Sequence, residues 1–236
     1  MDTLLKAIYS PVRAFQNLRN TEKFPTMSLL LLLIVVVINN ILMIPVTVKI
    51  MELTFSSMQL PIGEDQIDTA MQMMNRMRYL SAVGSVFTYL FMLVTYTLII
   101  WVLTKISKQS LSFQKAFGLI VHCCFILVIG DLVNTFILYN QGIENINNMY
   151  EISLTGLNLL TSVEQVGVVF YTFLSLINPF YIWFLILLTL GLAIFADTTF
   201  SKAFMTGFLF WVIIIAFPVV TIYISQLFMQ RSGLIM

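Results

Sequence analysis

Five long apolar runs constrain this chain more than any other feature. They cover residues 24–48, 79–104, 116–142, 165–196 and 203–230. Each exceeds the roughly 20 residues that a membrane-spanning helix needs. Hydrophobic residues make up 59% of the chain and charged residues only 10%, whereas a soluble domain carries about 25% charged residues. The sequence therefore predicts an integral membrane protein and excludes a soluble enzyme, a disordered chain and a disulfide-stapled secreted domain.

The apolar runs predict helices rather than barrel strands. Strands of a membrane barrel alternate apolar and polar residues, but residues 29–37 are apolar on every side. A helix satisfies its backbone hydrogen bonds within one segment, as the hydrocarbon requires. We therefore predict one all-α transmembrane domain over residues 1–236, a polytopic helical bundle with an amphipathic cytosolic tail at residues 1–23. The five spans are predicted near residues 26–48, 79–104, 116–139, 178–196 and 203–228.

The distribution of basic residues predicts the orientation, because Lys and Arg in short loops stay in the cytosol. One side of the bundle receives most of the 12 basic residues. They are Lys6, Arg13, Arg19, Lys23, Lys105, Lys108, Lys115 and Lys202. We expect the N-terminus to be cytosolic and, with an odd number of spans, the C-terminus to lie outside. The formal net charge of +1 provides no basic excess for a phosphate backbone, so no nucleic-acid partner is expected.

The fourth apolar run is too long for one span and too short for two. Asn178 is a good N-cap, and Pro179 suits the first position of a helix. We therefore predict that the span starts near Asn178 and that residues 166–177 form a short apolar helix or a re-entrant segment at the outer surface. The alternative is one continuous helix, kinked where Pro179 disturbs the bond to the carbonyl of Ser175.

The N-terminal tail has the pattern of a helix lying on a membrane. Its apolar residues recur at spacings of three and four, as on one helix face. They are Leu5, Ile8, Val12, Phe15 and Leu18. Four basic residues are the candidate contacts with the anionic leaflet of the lipid bilayer: Lys6, Arg13, Arg19 and Lys23. The alternative is that this helix packs under the bundle. The same spacing recurs at Ile67, Met71, Met74 and Met77, and the two interpretations of both segments are packing under the bundle and binding of a partner.

Several segments resemble a known family of membrane proteins. They are Ser-Pro-Val-Arg-Ala-Phe at 10–15, Lys-Ala-Phe at 115–117, Ile-Asn-Pro-Phe-Tyr-Ile-Trp at 177–183 and Ser-Lys-Ala-Phe at 201–204. Their order and setting are similar to those in the bacterial branch of the Yip (Ypt-interacting protein) family. The resemblance implies five spans, a cytosolic N-terminus, a C-terminus outside and the bacterial cytoplasmic (inner) membrane.

The partners that the resemblance implies differ between the two branches. Eukaryotic members are associated with Rab-type GTPases. Here their Asp-Leu-Tyr-Gly-Pro motif is missing and the N-terminal tail is short, so binding to a Rab-type GTPase is not supported. Some bacterial members lie beside ABC-type export systems, which the resemblance makes the expected class of membrane-protein partner. A homo-oligomer is a further possibility.

No catalytic or metal site is predicted. His122 is the single histidine, next to Cys123 and Cys124. Consecutive helix residues point about 100° apart, so these three cannot converge on one ion, and we expect a packed, hydrogen-bonded histidine. The sequence has no Gly-rich phosphate loop, zinc-protease motif or serine nucleophile motif. We therefore expect no enzymatic activity, no metal and no cofactor.

Polar residues inside the apolar runs are the candidate functional positions. Asp131 must face the bundle or a water-filled crevice, because a carboxyl group at the centre of a span costs about 2.5–3.5 kcal/mol. Its candidate partners are Asn134, Asn39, Asn40 and His122. A polar clasp between helices is the structural interpretation, and contact with an ion or a substrate is the functional one.

Two non-enzymatic functions remain. The first is an accessory or scaffold protein that is associated with an export or ABC-type transporter complex or with membrane organisation. The alternative is a small oligomeric transporter or channel with Asp131 in the permeation path. Transporters usually show internal repeats, and none is found here, so we favour the accessory function.

The last two spans are predicted to form an antiparallel hairpin, because only residues 197–202 join them. Small residues let the backbones of membrane helices approach each other, and Gly207 is the candidate packing position. Pro218 is predicted to kink the last span near the carbonyl of Ile214.

The predicted orientation can be tested by cysteine labelling in intact cells. Cysteines placed between Lys105 and Lys115 should resist a membrane-impermeant thiol reagent, and a cysteine near Asn147 should react. The reverse labelling would overturn the orientation.

Overall fold

Helices cover most of the chain in the computed structural model. The structure describes Lys6, Ile8, Asn148, Tyr150 and residues 10–19, 25–57, 64–146 and 152–231. The helices are α1 (Pro11–Arg19), α2 (Thr26–Leu42), α3 (Ile44–Ser57), α4 (Glu64–Ile106), α5 (Phe113–Gln141), α6 (Val163–Val166), α7 (Val168–Leu176), α8 (Pro179–Phe195) and α9 (Phe200–Arg231). No strand occurs among the described residues, and the all-α prediction is confirmed.

Three helical stretches are long and apolar enough to cross a membrane unbroken: Gly84–Ile106, Phe113–Gln141 and Phe200–Phe228. Two pairs of helices meet the same criterion together but are bent. They are Thr26–Leu42 with Ile44–Thr54, bent by 47°, and Val168–Leu176 with Pro179–Phe195, bent by 51°. If each bent pair is one span, the bundle has the five spans that the sequence predicts.

The first predicted span, residues 26–48, is not one straight helix. α2 ends at Leu42 and α3 begins at Ile44. Pro45 provides the physical reason, because it has no N–H to donate to the carbonyl of Ile41. The second predicted span also differs, since α4 starts at Glu64 instead of residue 79. This helix includes the methionine-rich segment, whose side chains lie outside the described residues.

The break predicted in the fourth apolar run is present. Asn178 is the N-cap of α8, with its Oδ1 accepting from Tyr181 N at 2.9 Å, and Pro179 is the first helical residue. The Asn178 side chain also donates from Nδ2 to Ser175 O at 3.1 Å. α7 and α8 are therefore separate helices joined at Asn178, and the continuous kinked helix is not formed.

α5 forms the centre of the bundle and contacts α2, α4 and α8. The side chains that fill this centre are apolar and buried. They include Leu119, Ile120, Cys123 and Cys124 of α5 and Leu187 and Leu188 of α8. We call the end of the bundle that carries α1 the tail end, and the end that carries residues 142–162 the cap end. α5 runs from the tail end to the cap end.

The tail helix packs on protein through part of its apolar face. Ala14 and Phe15 are completely buried, and the ring of Phe15 meets that of Phe195 edge to face at 6.0 Å. Arg19 forms an ion pair with Asp197 at 3.3 Å. Part of the apolar face of α1 therefore packs on the bundle, as the alternative interpretation predicts, while Val12 on the same face is 43% exposed. Contact of Lys6 and Arg13 with lipid stays a prediction, and Lys23 lies outside the described residues.

The predicted hairpin of the last two spans is formed by α8 and α9. A Cβ atom on Gly207 would lie 3.2 Å from Thr189 Oγ1 and 3.7 Å from Leu185 Cδ1, so the α9 backbone approaches α8 closely at this glycine. Pro218 lies inside α9, which continues past it to Arg231. Gly207 is thus a packing position between α8 and α9, as the sequence predicts.

The hairpin contact predicts that Gly207→Leu destabilises the bundle. The larger side chain would overlap Thr189 and Leu185, and overpacking costs about 1–3 kcal/mol. Gly84→Leu is the matched control, because a Cβ atom at Gly84 meets nothing within 4 Å. Thermal unfolding in detergent should show a lower midpoint for Gly207→Leu only. Equal midpoints for the two variants would contradict the hairpin contact.

Candidate functional site

A polar crevice opens beside Asp131 in the half of the bundle next to the cap end. Its volume is about 260 Å³, and it lies between α5, residues 152–155 and the junction of α7 with α8. The polar residues that line it with Asp131 are Asn134, Ser153, Thr155, Ser175, Asn178 and Tyr181. The side chain of Asp131 is exposed to this open space. Asp131 thus faces a crevice, as the sequence predicts for an acidic residue inside a membrane-spanning helix.

A glycine next to Asp131 determines where the crevice forms. A Cβ atom on Gly130 would lie 2.6 Å from Cγ of Phe180, so the first turn of α8 rests directly against the α5 backbone. This approach places the N-terminus of α8, capped by Asn178, beside Asp131. The positive end of the α8 dipole therefore acts on the same space as the carboxylate.

Asp131 points away from the most exposed side of α5. Val133 and Phe136 are 38% and 70% exposed, and at about 100° per residue both lie on the opposite side of the helix from Asp131. The exposed area of Asp131 therefore lies on the side of α5 that lines the crevice.

The Asp131 carboxylate has no partner within the described part of the chain: no side chain there donates a hydrogen bond to it or forms an ion pair with it. Tyr89 and Tyr181 lie close enough to interact with it electrostatically. The hydroxyl group of Tyr89 is enclosed and likewise has no hydrogen-bond partner there. The crevice therefore holds a carboxyl group for which no described residue supplies a positive side chain.

Asn134, predicted as the partner of Asp131, holds the backbone of the cap end instead. Its Nδ2 donates to Ile152 O at 2.8 Å, and its Oδ1 accepts from Leu154 N at 2.6 Å. Both ends of the amide are thereby occupied. The prediction that Asn134 pairs with Asp131 is wrong, because these non-helical backbone groups compete successfully for the amide.

The other candidate partners of Asp131 also bind elsewhere. Asn39 Oδ1 lies 2.8 Å from the hydroxyl group of Thr135, and Asn40 Nδ2 donates to Val36 O at 2.8 Å. His122 Nδ1 lies 2.7 Å from Gly118 O, and Nε2 lies 3.2 Å from Ser28 Oγ. His122 is therefore the packed, hydrogen-bonded histidine that the sequence predicts, and it takes no part in the crevice.

Toward the tail end the crevice is closed by apolar packing. Cys123 and Cys124 are completely buried, as are Leu187 and Leu188 on the facing helix. Among the described residues, no group of three or more His, Cys, Asp or Glu side chains is arranged to hold a metal ion. The arrangement offers one carboxyl group in an open crevice, and Tyr181 is the other titratable side chain among the described residues that line it.

The family comparison agrees with the helical architecture. The family model described as the Yip1 domain matches residues 5–222. The chain belongs to the Yip1 family. None of the curated proteins and none of the solved structures matches the chain. Family membership and the apolar helices together establish an integral membrane protein.

Within this Yip1-family chain, the residues that enclose Asp131 were only partly foreseeable. Asn178 carried a capping signal, but Phe180, Tyr181 and Tyr89 carried none that linked them to Asp131. Gly130 was the one sequence signal that another helix lies against α5 near Asp131, because a small residue permits close approach of helices. Which helix approaches depends on the tertiary arrangement.

The amide contacts predict that Asn134→Leu loosens the cap end. The variant leaves the N–H of Leu154 and the carbonyl of Ile152 without their partner; because both bonds are only partly buried, we expect a combined cost of about 1–3 kcal/mol. Asn140→Leu is the control, because Asn140 is exposed and bonds only to Phe136 O of its own helix. Hydrogen exchange at residues 152–158 should accelerate in Asn134→Leu alone. Unchanged exchange would show that Asn134 does not hold this segment.

Proposed function

We propose that this Yip1-family protein is a non-enzymatic accessory or scaffold protein of a membrane complex in the bacterial cytoplasmic membrane. The tail end would lie in the cytosol and the cap end outside, in the orientation that the basic residues favour. An ABC-type export complex is the partner class that we propose, and a second copy of the chain is the alternative.

The observation that carries this proposal is the apolar packing between the crevice and the tail end. A transporter needs a path for its substrate across the bundle, but Cys124, Leu187 and Leu188 fill the centre directly toward the tail end from Asp131. Close-packed interiors of this kind leave no channel for a polar solute. The apolar packing within one protomer therefore favours an accessory function over transport.

The lipid-facing surface supplies a feature suited to a partner helix. Phe204 and Phe208 of α9 are each 41% exposed. Their rings stack at 5.9 Å, and Phe208 stacks on Trp211 at 6.0 Å. Aromatic side chains make large contacts and are enriched where proteins associate. This aromatic row on α9 is the surface through which we propose that the protein binds its partner.

Affinity purification from membranes in gentle detergent tests the accessory function. We expect the membrane subunit of an ABC-type exporter to co-purify at a fixed ratio and the ratio to fall severalfold in Phe208→Ala. Phe91→Ala is the matched control, since Phe91 is also exposed, at 75%, but lies on α4. Quantitative mass spectrometry of the purified complexes gives the ratio.

Flux measurements separate the accessory function from the alternative of an oligomeric transporter with Asp131 in its path. The crevice is the observation that favours this alternative. The purified protein in proteoliposomes should conduct no more ions or small solutes than empty vesicles do. Robust flux without a partner, abolished by Asp131→Asn, would replace the accessory function with transport.

A further inference from the structure

The crevice has the features of a ligand site that the accessory function does not use. An acidic side chain inside a membrane bundle is costly unless it is paired or faces a water-filled space, and no described residue pairs with Asp131. The crevice is roomy enough for a small molecule, at about 260 Å³. We propose that it binds a small organic ammonium cation, with the Asp131 carboxylate as the counter-charge. This inference is independent of the accessory function.

The lining groups favour an organic cation over a metal ion. A hard metal ion requires about six oxygen ligands, including several carboxylates or carbonyls, whereas Asp131 is the one acid among the described residues that line the crevice. The rings of Phe180 and Tyr181 form part of the wall, and aromatic faces attract ammonium groups. The hydroxyl groups of Ser153 and Thr155 can accept hydrogen bonds from the N–H groups of a primary amine.

The position of Asp131 favours a small ligand over a basic side chain of a partner helix. A partner would approach from the lipid side, which is marked on α5 by the exposed residues Val133 and Phe136. Asp131 lies on the opposite side of the helix. Residues 152–155 line the crevice at the cap end, and Asn134 fixes two of their backbone groups. A volume of about 260 Å³ fits a small molecule better than a helical segment.

Two sources could supply the same ammonium chemistry: a free amine in solution, or the head group of a lipid such as phosphatidylethanolamine. The volume accommodates one group of this size. The two sources are distinguished by the composition of the surrounding bilayer, because phosphatidylglycerol has no ammonium group.

The test uses the full chain in nanodiscs of pure phosphatidylglycerol. Ethanolamine and choline chloride are titrated at constant ionic strength, with sodium chloride as the reference, and thermal unfolding reports binding. We expect a saturable rise of the unfolding midpoint. The apparent affinity should fall at least tenfold in Asp131→Asn and stay unchanged in the charge-matched control Glu144→Gln, which removes an exposed carboxylate outside the crevice.

A second set of nanodiscs, with equal amounts of phosphatidylethanolamine and phosphatidylglycerol, identifies the source. If the lipid head group occupies the crevice, the wild-type midpoint is already raised there, and free amines add nothing. If only free amines bind, both sets of nanodiscs give the same titration. Either result supports the proposal when it depends on Asp131.

A measurement on the wild-type chain covers the case in which Asp131→Asn does not fold. Choline should slow the modification of Asp131 by a carbodiimide at least threefold, as read by peptide mass spectrometry, while modification of Glu144 stays unchanged. The proposal is overturned if neither the amines nor the lipid shift the midpoint, or if choline gives no protection. It is also overturned if Asp131→Asn lowers the unfolding midpoint but the amines shift the midpoints of the variant and the wild-type chain equally. Asp131 would then only stabilise the N-terminus of α8.

Discussion

The close approach of α5 and α8 is the contact on which the rest of the bundle depends. Gly130 admits the ring of Phe180, and Gly191 admits the side chain of Leu119, because a Cβ atom at either position would collide with its neighbour. Within lipid, helices gain no hydrophobic driving force from association, so such van der Waals packing and interhelical hydrogen bonds determine which helices are neighbours. This contact encloses the centre toward the tail end and leaves the crevice toward the cap end.

Asparagine side chains sustain the non-helical backbone of this bundle. Irregular backbone at membrane depth persists only where its polar groups are satisfied. Asn178 satisfies the start of α8 and the end of α7, and Asn134 satisfies the backbone of Ile152 and Leu154. These amides are thereby withdrawn from Asp131. The same network that builds the crevice leaves its carboxyl group without a partner among the described residues.

Local signals made part of this structure predictable. Apolar length identified the helices, and the Asn178-Pro179 pair identified the start of α8, because capping depends on neighbouring residues alone. Pro45 carried an equally local signal for the break between α2 and α3, which the prediction of a single span over residues 26–48 did not use. The docking of Phe15 on Phe195 and the partners of Asn134 were not predictable, since they depend on which helices meet. The amphipathic pattern of α1 fits a lipid surface and a protein surface equally well, so only the tertiary structure distinguishes them.

Thiol accessibility along α5 tests most directly whether the crevice is open at Asp131 and closed toward the tail end. Asp131→Cys is treated in the folded state with a small methanethiosulfonate reagent, and the native cysteines serve as internal references. Position 131 should be modified within the intact bundle, whereas Cys123 and Cys124, both completely buried, should react only after denaturation. An unreactive position 131, or equal reaction at Cys124, would contradict an open crevice above a closed apolar centre.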